Sequence, residues 1–160
     1  MFPEVFFLTP RTVLFFGVVA GSLLFVFMSH ITSLSFCGTD YPIPDGCEAK
    51  SKHQINCEDC EMSWSYVDGK MLQYMAEQAA QELEASNYSS TKEIISCYLL
   101  DTQVKAFKIN KFIAGKPSGC ELIAYGIVNK HQVLVQLSVP HNLVGNENIP
   151  SGARQLISLN

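Results

Sequence analysis

An uncharged hydrophobic run near the N-terminus constrains this chain more than any other feature of its sequence. Thr12 to Met28, TVLFFGVVAGSLLFVFM, contains 17 residues without a charge, and the charge-free stretch continues to Phe36. As helices, the shorter and longer versions span about 26 Å and about 37 Å, which brackets the hydrocarbon core of a bilayer. Backbone groups in lipid must be hydrogen-bonded internally, which favours a helix. The sequence therefore predicts a transmembrane anchor within residues 1–36 that contacts the lipid bilayer through residues 12–36.

The charges that flank this run indicate its orientation. Arg11 precedes it, whereas acidic residues come first on the other side and the first lysine there is Lys50. Because cationic flanks stay in the cytoplasm, we expect a single-pass protein with a cytoplasmic N-terminus and an extracytoplasmic main domain, periplasmic, extracellular or lumenal. A cleaved signal peptide is the alternative, since the small residues of SLS at 33–35 fit a cut before Phe36.

The rest of the chain is mildly acidic and holds all the cysteines. Glu4 and Arg11 are the only Asp, Glu, Lys or Arg residues among the first 36, so the net charge of −4 belongs to residues 37–160. Without a basic stripe, nucleic acid is not expected as a partner. An even number of cysteines on one side of a membrane segment is typical of an oxidising compartment. We therefore predict disulfides among the six cysteines: Cys37, Cys47, Cys57, Cys60, Cys97 and Cys120.

Residues 37–67 are predicted to form a cysteine-rich tether. Prolines, glycines and turn-forming residues are frequent in this segment, and no apolar periodicity is sustained. Such a segment buries little core, so disulfides would be its main source of order.

Residues 68–160 are predicted to form an α+β domain. Apolar residues at helical spacing predict a long helix over 68–86, with Asp68 as its N-cap. From Lys92 the period changes to about two, which predicts strands at 93–100, 103–113, 120–128 and 132–139. Residues 151–159 suit either a short helix or an edge strand, and Asn87 begins a three-residue glycosylation pattern.

The predicted fold class is therefore α+β. An N-terminal transmembrane helix and a disulfide-rich tether precede a two-layer domain, in which one long helix packs on an antiparallel sheet of four or five strands. The stretches VKAFKINKF, CELIAYGIV and HQVLVQLSVP come after the helix in that order. In this layout residues 70–160 resemble the PsbP-like fold, and cystatin-like domains share the same helix-then-meander order. Neither resemblance implies a function, because fold does not fix function.

The stretch CEDC, Cys57 to Cys60, is compatible with three kinds of chemistry. A redox dithiol needs a stabilised thiolate, whereas the two intervening carboxylates raise the pKa of a thiol. A zinc clip would combine these cysteines with Cys47 and His53, but the upstream spacing is not a usual one. Structural disulfides are favoured.

The pairing of these disulfides is open. Cys97 and Cys120 fall on two predicted strands of one sheet and are candidates to pair across the domain. The four tether cysteines would then pair among themselves, Cys37 with Cys47 or with Cys57 or Cys60.

Trp64 and Tyr66 form an aromatic pair where the tether meets the domain, and we predict them as possible partner-binding residues. Met71 and Met75 are interpreted as helix core. No catalytic motif is recognisable, so we expect no enzyme activity, cofactor or metal. The predicted function is a non-enzymatic, protein-binding accessory or assembly subunit of a cell-envelope membrane complex. The alternatives are a thiol–disulfide redox protein using Cys57 and Cys60, and a small-molecule carrier using the groove between helix and sheet.

Overall fold

The structure is a computed structural model that describes residues 31–86 and 89–159. The predicted anchor helix over 12–28 and the glycosylation pattern at Asn87 lie outside these residues. Among the described residues, no helix is both long and apolar enough to cross a bilayer. Residues 31–160 form one compact unit, and every described helix and strand belongs to it.

Strands dominate this unit, with one long α-helix between the fifth and the sixth. The helix α1 spans Gly69–Glu84. The strands are β1 (Ser33–Phe36), β2 (Thr39–Pro42), β3 (Cys47–Ser51), β4 (Gln54–Cys57), β5 (Glu61–Tyr66), β6 (Ser89–Leu99), β7 (Thr102–Ile113), β8 (Lys116–Val128), β9 (His131–Val139) and β10 (Ile157–Leu159).

Eight of these strands form one curled antiparallel sheet in the order β10-β6-β7-β8-β9-β5-β4-β3. The long strands β6 to β9 succeed one another through tight turns, and β5 joins them by pairing with β9. Asn129 and Lys130 both have positive φ angles, 49° and 68°, as a two-residue hairpin turn that matches strand twist requires. β1 and β2 form a separate two-stranded hairpin.

The predicted fold class is wrong, because the domain is mostly β and its sheet has eight strands rather than four or five. The predicted tether is not an irregular linker, since β2 to β5 all lie within 37–67. These strands are only four to six residues long and expose many side chains. Their order comes from pairing with neighbours, which a local apolar pattern does not reveal.

The end of the predicted membrane segment also belongs to the domain. Residues Ser33–Phe36 form β1, and the side chains of Leu34 and Phe36 are fully buried in the core. The prediction extended the lipid contact to Phe36 because the segment is uncharged, but two of its apolar side chains pack against protein. A signal-peptide cut before Phe36 would remove most of this strand from the domain.

The sheet separates two apolar layers. Its inner face, together with the β1–β2 hairpin and the C-terminal segment, encloses the larger core, which includes Leu122 and Leu137. Helix α1 covers part of the outer face and buries Leu72, Ala76 and Ala80. The two alanines let the helix lie close to the sheet, where it meets the side chains Phe107, Ile109, Ile123 and Leu134.

Several local predictions are confirmed. Helix α1 lies within the predicted range, and Asp68 caps it by accepting a hydrogen bond from the Lys70 backbone N–H at 3.3 Å. All four predicted strands exist as β6 to β9. At the tail the edge-strand alternative holds, as β10 pairs with β6 at the sheet edge.

Candidate functional site

The predicted partner-binding pair divides into one buried and one exposed residue. Trp64 is only 5 % exposed, and its indole Nε1–H donates to the Ser35 carbonyl at 2.9 Å. Its ring also meets Phe36 edge-on, with 5.5 Å between centroids. Trp64 therefore fixes the β1–β2 hairpin onto the sheet and offers no surface to a partner. Tyr66 is 42 % exposed, and its hydroxyl accepts a hydrogen bond from the Cys37 N–H at 2.7 Å.

One disulfide is present among the described residues, between Cys47 and Cys57. It joins adjacent strands, β3 and β4, at directly opposed positions whose Cα atoms are 4.1 Å apart. The prediction that disulfides form is thus confirmed for one bond, whereas the suggested pairing of Cys37 with Cys47, Cys57 or Cys60 is wrong, because Cys37 is a free thiol. The remaining cysteines are buried free thiols: Cys37, Cys60, Cys97 and Cys120.

The predicted pairing of Cys97 with Cys120 is wrong, and the sheet register explains why. Cys97 lies opposite Val104 of β7, whereas Cys120 lies opposite Asn110 of the same strand. Val104 and Asn110 are six positions apart, about 20 Å along the strand. Disulfides need Cα atoms within about 7 Å, so these two thiols cannot meet.

The zinc alternative is not supported either. His53 lies in the turn between β3 and β4, and its ring packs against Trp64 and Tyr66 at centroid distances of 6.0 and 5.6 Å. Cys57 is four positions further along the chain, about 13 Å for an extended strand. The described residues contain no cluster of three or more side chains that could hold a metal ion.

Three cysteines nevertheless fall in one row across the sheet, which we call the sulfur row: Cys47, Cys57 and Cys60. Cys47 is opposite Cys57, and the Cys57 N–H donates to the Cys60 carbonyl at 2.7 Å, which makes these two residues the closing pair of the β4–β5 hairpin. Residues paired in an antiparallel sheet share a face, and both Cys57 and Cys60 pack against the inner core. Cys57 therefore has a cysteine on each side.

A cavity of about 470 Å³ adjoins this row and is lined by Cys57 and Cys60. Four carboxylates line it as well: Glu58, Asp59, Glu61 and Glu121. Only one cation of the described residues does so, Lys111, and its Nζ is paired with Glu121 at 2.7 Å. Burial and the neighbouring Asp59 raise the pKa of the Cys60 thiol to about 11. The site therefore keeps Cys60 protonated near neutral pH, which agrees with the sequence argument against a rapidly reacting dithiol.

A second candidate site is an apolar surface on α1, which we call the helix patch: Met71, Tyr74 and Met75. These side chains are 47 %, 54 % and 40 % exposed. They are neighbours at i, i+3 and i+4, so they form one continuous surface. The interpretation of both methionines as helix core is wrong, because the buried stripe runs through Leu72, Ala76 and Ala80 instead. Helical spacing could have predicted this exposure, since a helical wheel places Met71 and Met75 to one side of that stripe.

A groove of about 520 Å³ lies on the other flank of α1, between the helix and β6 to β8. Phe107 and Tyr125 stack within it, with ring centroids 5.6 Å apart. Burial, with a smaller effect of Glu77, raises the pKa of the Tyr125 hydroxyl, which therefore stays a neutral hydrogen-bonding group. The lining also contains Lys92 and Lys105, so the groove combines aromatic surface with polar groups.

No protein-family model, curated protein or solved structure matches the chain. The resemblance of residues 70–160 to the PsbP-like fold therefore stays a prediction. Any function must be inferred from the geometry of the described residues.

Proposed function

We propose that this chain is a single-pass membrane-anchored protein whose extracytoplasmic domain binds another protein through the helix patch. In this role it acts as a non-enzymatic accessory or assembly subunit of a membrane complex. The anchor is the uncharged run over 12–28. The Cys47–Cys57 disulfide supports an oxidising, extracytoplasmic location for the domain, because such bonds rarely persist in a reducing cytosol.

The observation that carries the binding proposal is the exposure of three adjacent large side chains on one helix. Surface apolar residues on monomeric proteins are commonly scattered singly, whereas contiguous ones mark interaction sites. Tyrosine and methionine are enriched in protein interfaces, and the flexible thioether of methionine adapts to a partner surface. Met71, Tyr74 and Met75 make this patch on the most regular element of the domain.

The acidic balance of the chain indicates the chemistry of the partner. Helix α1 carries three glutamates against one lysine, although Glu77 lines the groove on the other flank and Glu84 pairs with Lys92. The chain beyond residue 36 is also acidic. A complementary surface would therefore present apolar side chains flanked by Lys or Arg, such as an amphipathic segment of a membrane protein.

Site-specific photo-crosslinking in native membranes tests this proposal. We expect a crosslinker at Tyr74 to give one defined adduct with a membrane protein, and a crosslinker at the exposed Lys130 turn to give none. Met75→Lys should abolish the adduct by placing a cation opposite a basic partner. The matched control is Val144→Lys, which alters an equally apolar residue, 74 % exposed, away from the helix.

Met75→Lys should leave the free energy of unfolding within about 0.5 kcal/mol of the wild type, because the side chain is exposed. Loss of the adduct would then report binding rather than folding. The role of the patch would be contradicted if the protein with the crosslinker at Tyr74 gives no adduct. It would also be contradicted if the adduct still forms in Met75→Lys. Recovery of the mature protein from a reducing cytosol would contradict the anchor.

A second candidate function, carriage of a small molecule, is favoured by the groove of about 520 Å³ beside the Phe107–Tyr125 stack. Its size lies in the usual range of ligand pockets. Native mass spectrometry of the protein from its own membranes should then show a bound small molecule. Ser96 lines the groove, so Ser96→Trp should remove that molecule by filling the space, while Val144→Lys should retain it.

A further inference from the structure

We propose that the sulfur row is a thiol–disulfide exchange site, in which the Cys60 thiol displaces Cys47 from Cys57. The exchange moves the single disulfide from the Cys47–Cys57 position to a Cys57–Cys60 position and frees strand β3. This activity is separate from binding at the helix patch.

The backbone places Cys57 within bonding distance of either neighbour. Its Cα lies 4.1 Å from that of Cys47, its present partner. Cys60 is the hydrogen-bonded partner of Cys57 at the hairpin end, and such pairs have Cα atoms about 5.5 Å apart. That separation is the most common one for disulfides. No change in strand pairing is therefore needed for Cys57 to switch partners.

The order of the three sulfurs also suits the reaction. Cys47 is on β3, Cys57 is on β4 and Cys60 immediately precedes β5, so Cys60 lies on the side of Cys57 opposite to Cys47. Thiol–disulfide exchange proceeds by attack of a thiolate on one sulfur while the other sulfur leaves. The row presents the attacking, central and leaving sulfurs in that sequence.

Atoms and electrons balance without an external oxidant or reductant. Cys60 first gives its proton to solvent, and its thiolate attacks Cys57 Sγ. The Cys57–Cys60 bond forms as the Cys47–Cys57 bond breaks. Cys47 leaves as a thiolate and takes up a proton from solvent. One disulfide and one thiol are present before and after the step.

The disulfide cannot be passed on from Cys60 to the next cysteine in line, Cys120. One position beyond the Glu61–Ser138 pair, Cys60 falls opposite Val139, and Cys120 lies on the far side of Val139. Two strand spacings, about 10 Å, therefore separate Cys60 from Cys120, which is too far for a disulfide. Cys120 is for this reason a suitable control: a buried thiol in line with the row but out of reach.

Burial and a neighbouring carboxylate set the rate of exchange. Cys60 is buried, and Glu58 and Asp59 lie in its own hairpin turn, where Asp59 raises the pKa of the thiol further. With a pKa of about 11, the thiolate fraction of Cys60 is about 10⁻⁴ at pH 7 and about 10⁻² at pH 9. The exchange should therefore run about 100-fold faster at pH 9 than at pH 7.

The consequence of exchange falls on a sheet edge. β3 is the terminal strand of the eight-stranded sheet, and none of its side chains is fully buried. The disulfide cross-links β3 to β4. After exchange, β3 is held to β4 by hydrogen bonds without this cross-link, and Cys47 becomes a free thiol. An edge strand without its disulfide, carrying a half-buried free thiol, is a pairing and cross-linking point for another chain.

Peptide mapping of the full-length protein tests the exchange. Cleavage after Lys50 and Lys52 separates Cys47 from a peptide that contains both Cys57 and Cys60. The present form therefore joins two peptides, whereas the exchanged form gives one peptide with an internal disulfide. We expect the internal disulfide to accumulate about 100-fold faster at pH 9 than at pH 7 when samples are quenched with acid.

Two controls accompany this measurement. Cys60→Ser should keep the two peptides joined at both pH values, and Cys120→Ser should behave as the wild type. Independently, Cys47→Ser in a glutathione redox buffer should form the Cys57–Cys60 disulfide directly. The proposal is overturned if the wild type shows no internal disulfide at pH 9, or if Cys57 and Cys60 remain unpaired in Cys47→Ser.

Discussion

Leu34 provides the sharpest test of where the folded domain begins. The sequence places this residue in an uncharged continuation of the membrane run, whereas the structure places it in β1 with its side chain fully buried. The two assignments predict different outcomes for Leu34→Ala. A residue in lipid or in a linker would tolerate the change in the isolated polypeptide 31–160, but a core residue would not.

The size of the effect depends on the environment of β1. Leu→Ala substitutions in protein cores cost about 3–5 kcal/mol, depending on how far the surroundings collapse into the cavity. β1 pairs only with β2, so the hairpin has some freedom to shift inward. The Trp64 hydrogen bond to the Ser35 carbonyl limits that shift. We therefore expect a loss of about 3 kcal/mol in the free energy of unfolding.

Urea unfolding of polypeptide 31–160 measures this loss. With a slope of about 2 kcal/mol per M of urea, the midpoint should fall by about 1.5 M. Ser33→Ala, at the half-buried start of the same strand, should change the midpoint by less than about 0.3 M. If Leu34→Ala shifts the midpoint no further than this control, β1 is not part of the core, and a cut before Phe36 again becomes compatible with the fold.

Three further predictions concern other parts of the domain. Gly152→Ala should lower the free energy of unfolding by about 1–3 kcal/mol, because an added Cβ would lie 2.5 and 2.6 Å from the two disulfide sulfurs. Urea unfolding should show no such loss when Cys47 and Cys57 are both replaced by alanine. Glu121→Gln should lower the free energy of unfolding by about 1 kcal/mol, because it weakens the 2.7 Å ion pair with Lys111, which is mostly shielded from water. Equal stability of the variant and the wild type in low salt would contradict this. The free energy of unfolding should fall as pH rises above 9, because burial raises the pKa of Cys97 from 9.0 to about 12 in the folded state only, so the unfolded chain loses its proton first. Cys97→Ser should make this decline less steep between pH 8 and 11, with the remainder coming from the other buried thiols, whose pKa values are also raised.

The sequence predicts the elements whose pattern is local. Helix α1 shows helical spacing over many residues, and β9 alternates cleanly through Val133, Val135 and Leu137, so both are found where expected. The short strands β2 to β5 show no such pattern. β2 is ordered by pairing with β1, and β3 to β5 by hydrogen bonds to neighbours and ultimately to β9; such pairing leaves little trace in the strands themselves.

The candidate sites depend on the same long-range information. Trp64 is buried because its N–H meets a carbonyl 29 residues earlier in the chain, so an aromatic residue that resembles a partner anchor is a packing residue. Met71 and Met75 are exposed because two alanines occupy the contact with the sheet. The disulfide partner of Cys57 is set by the register of one hairpin, which cysteine spacing alone does not determine.

The helix patch and the sulfur row lie on opposite faces of the sheet, so the two proposed activities should be independent. Helix α1 packs on the outer face, whereas Cys57 and Cys60 pack against the inner core. Exchange alters the tie of β3, an edge strand separated from β9 by β4 and β5. Cys60→Ser should therefore still give the Tyr74 adduct, and Met75→Lys should still form the internal disulfide at the wild-type rate. Loss of the adduct in Cys60→Ser would show that the two sites are coupled and would contradict their independence.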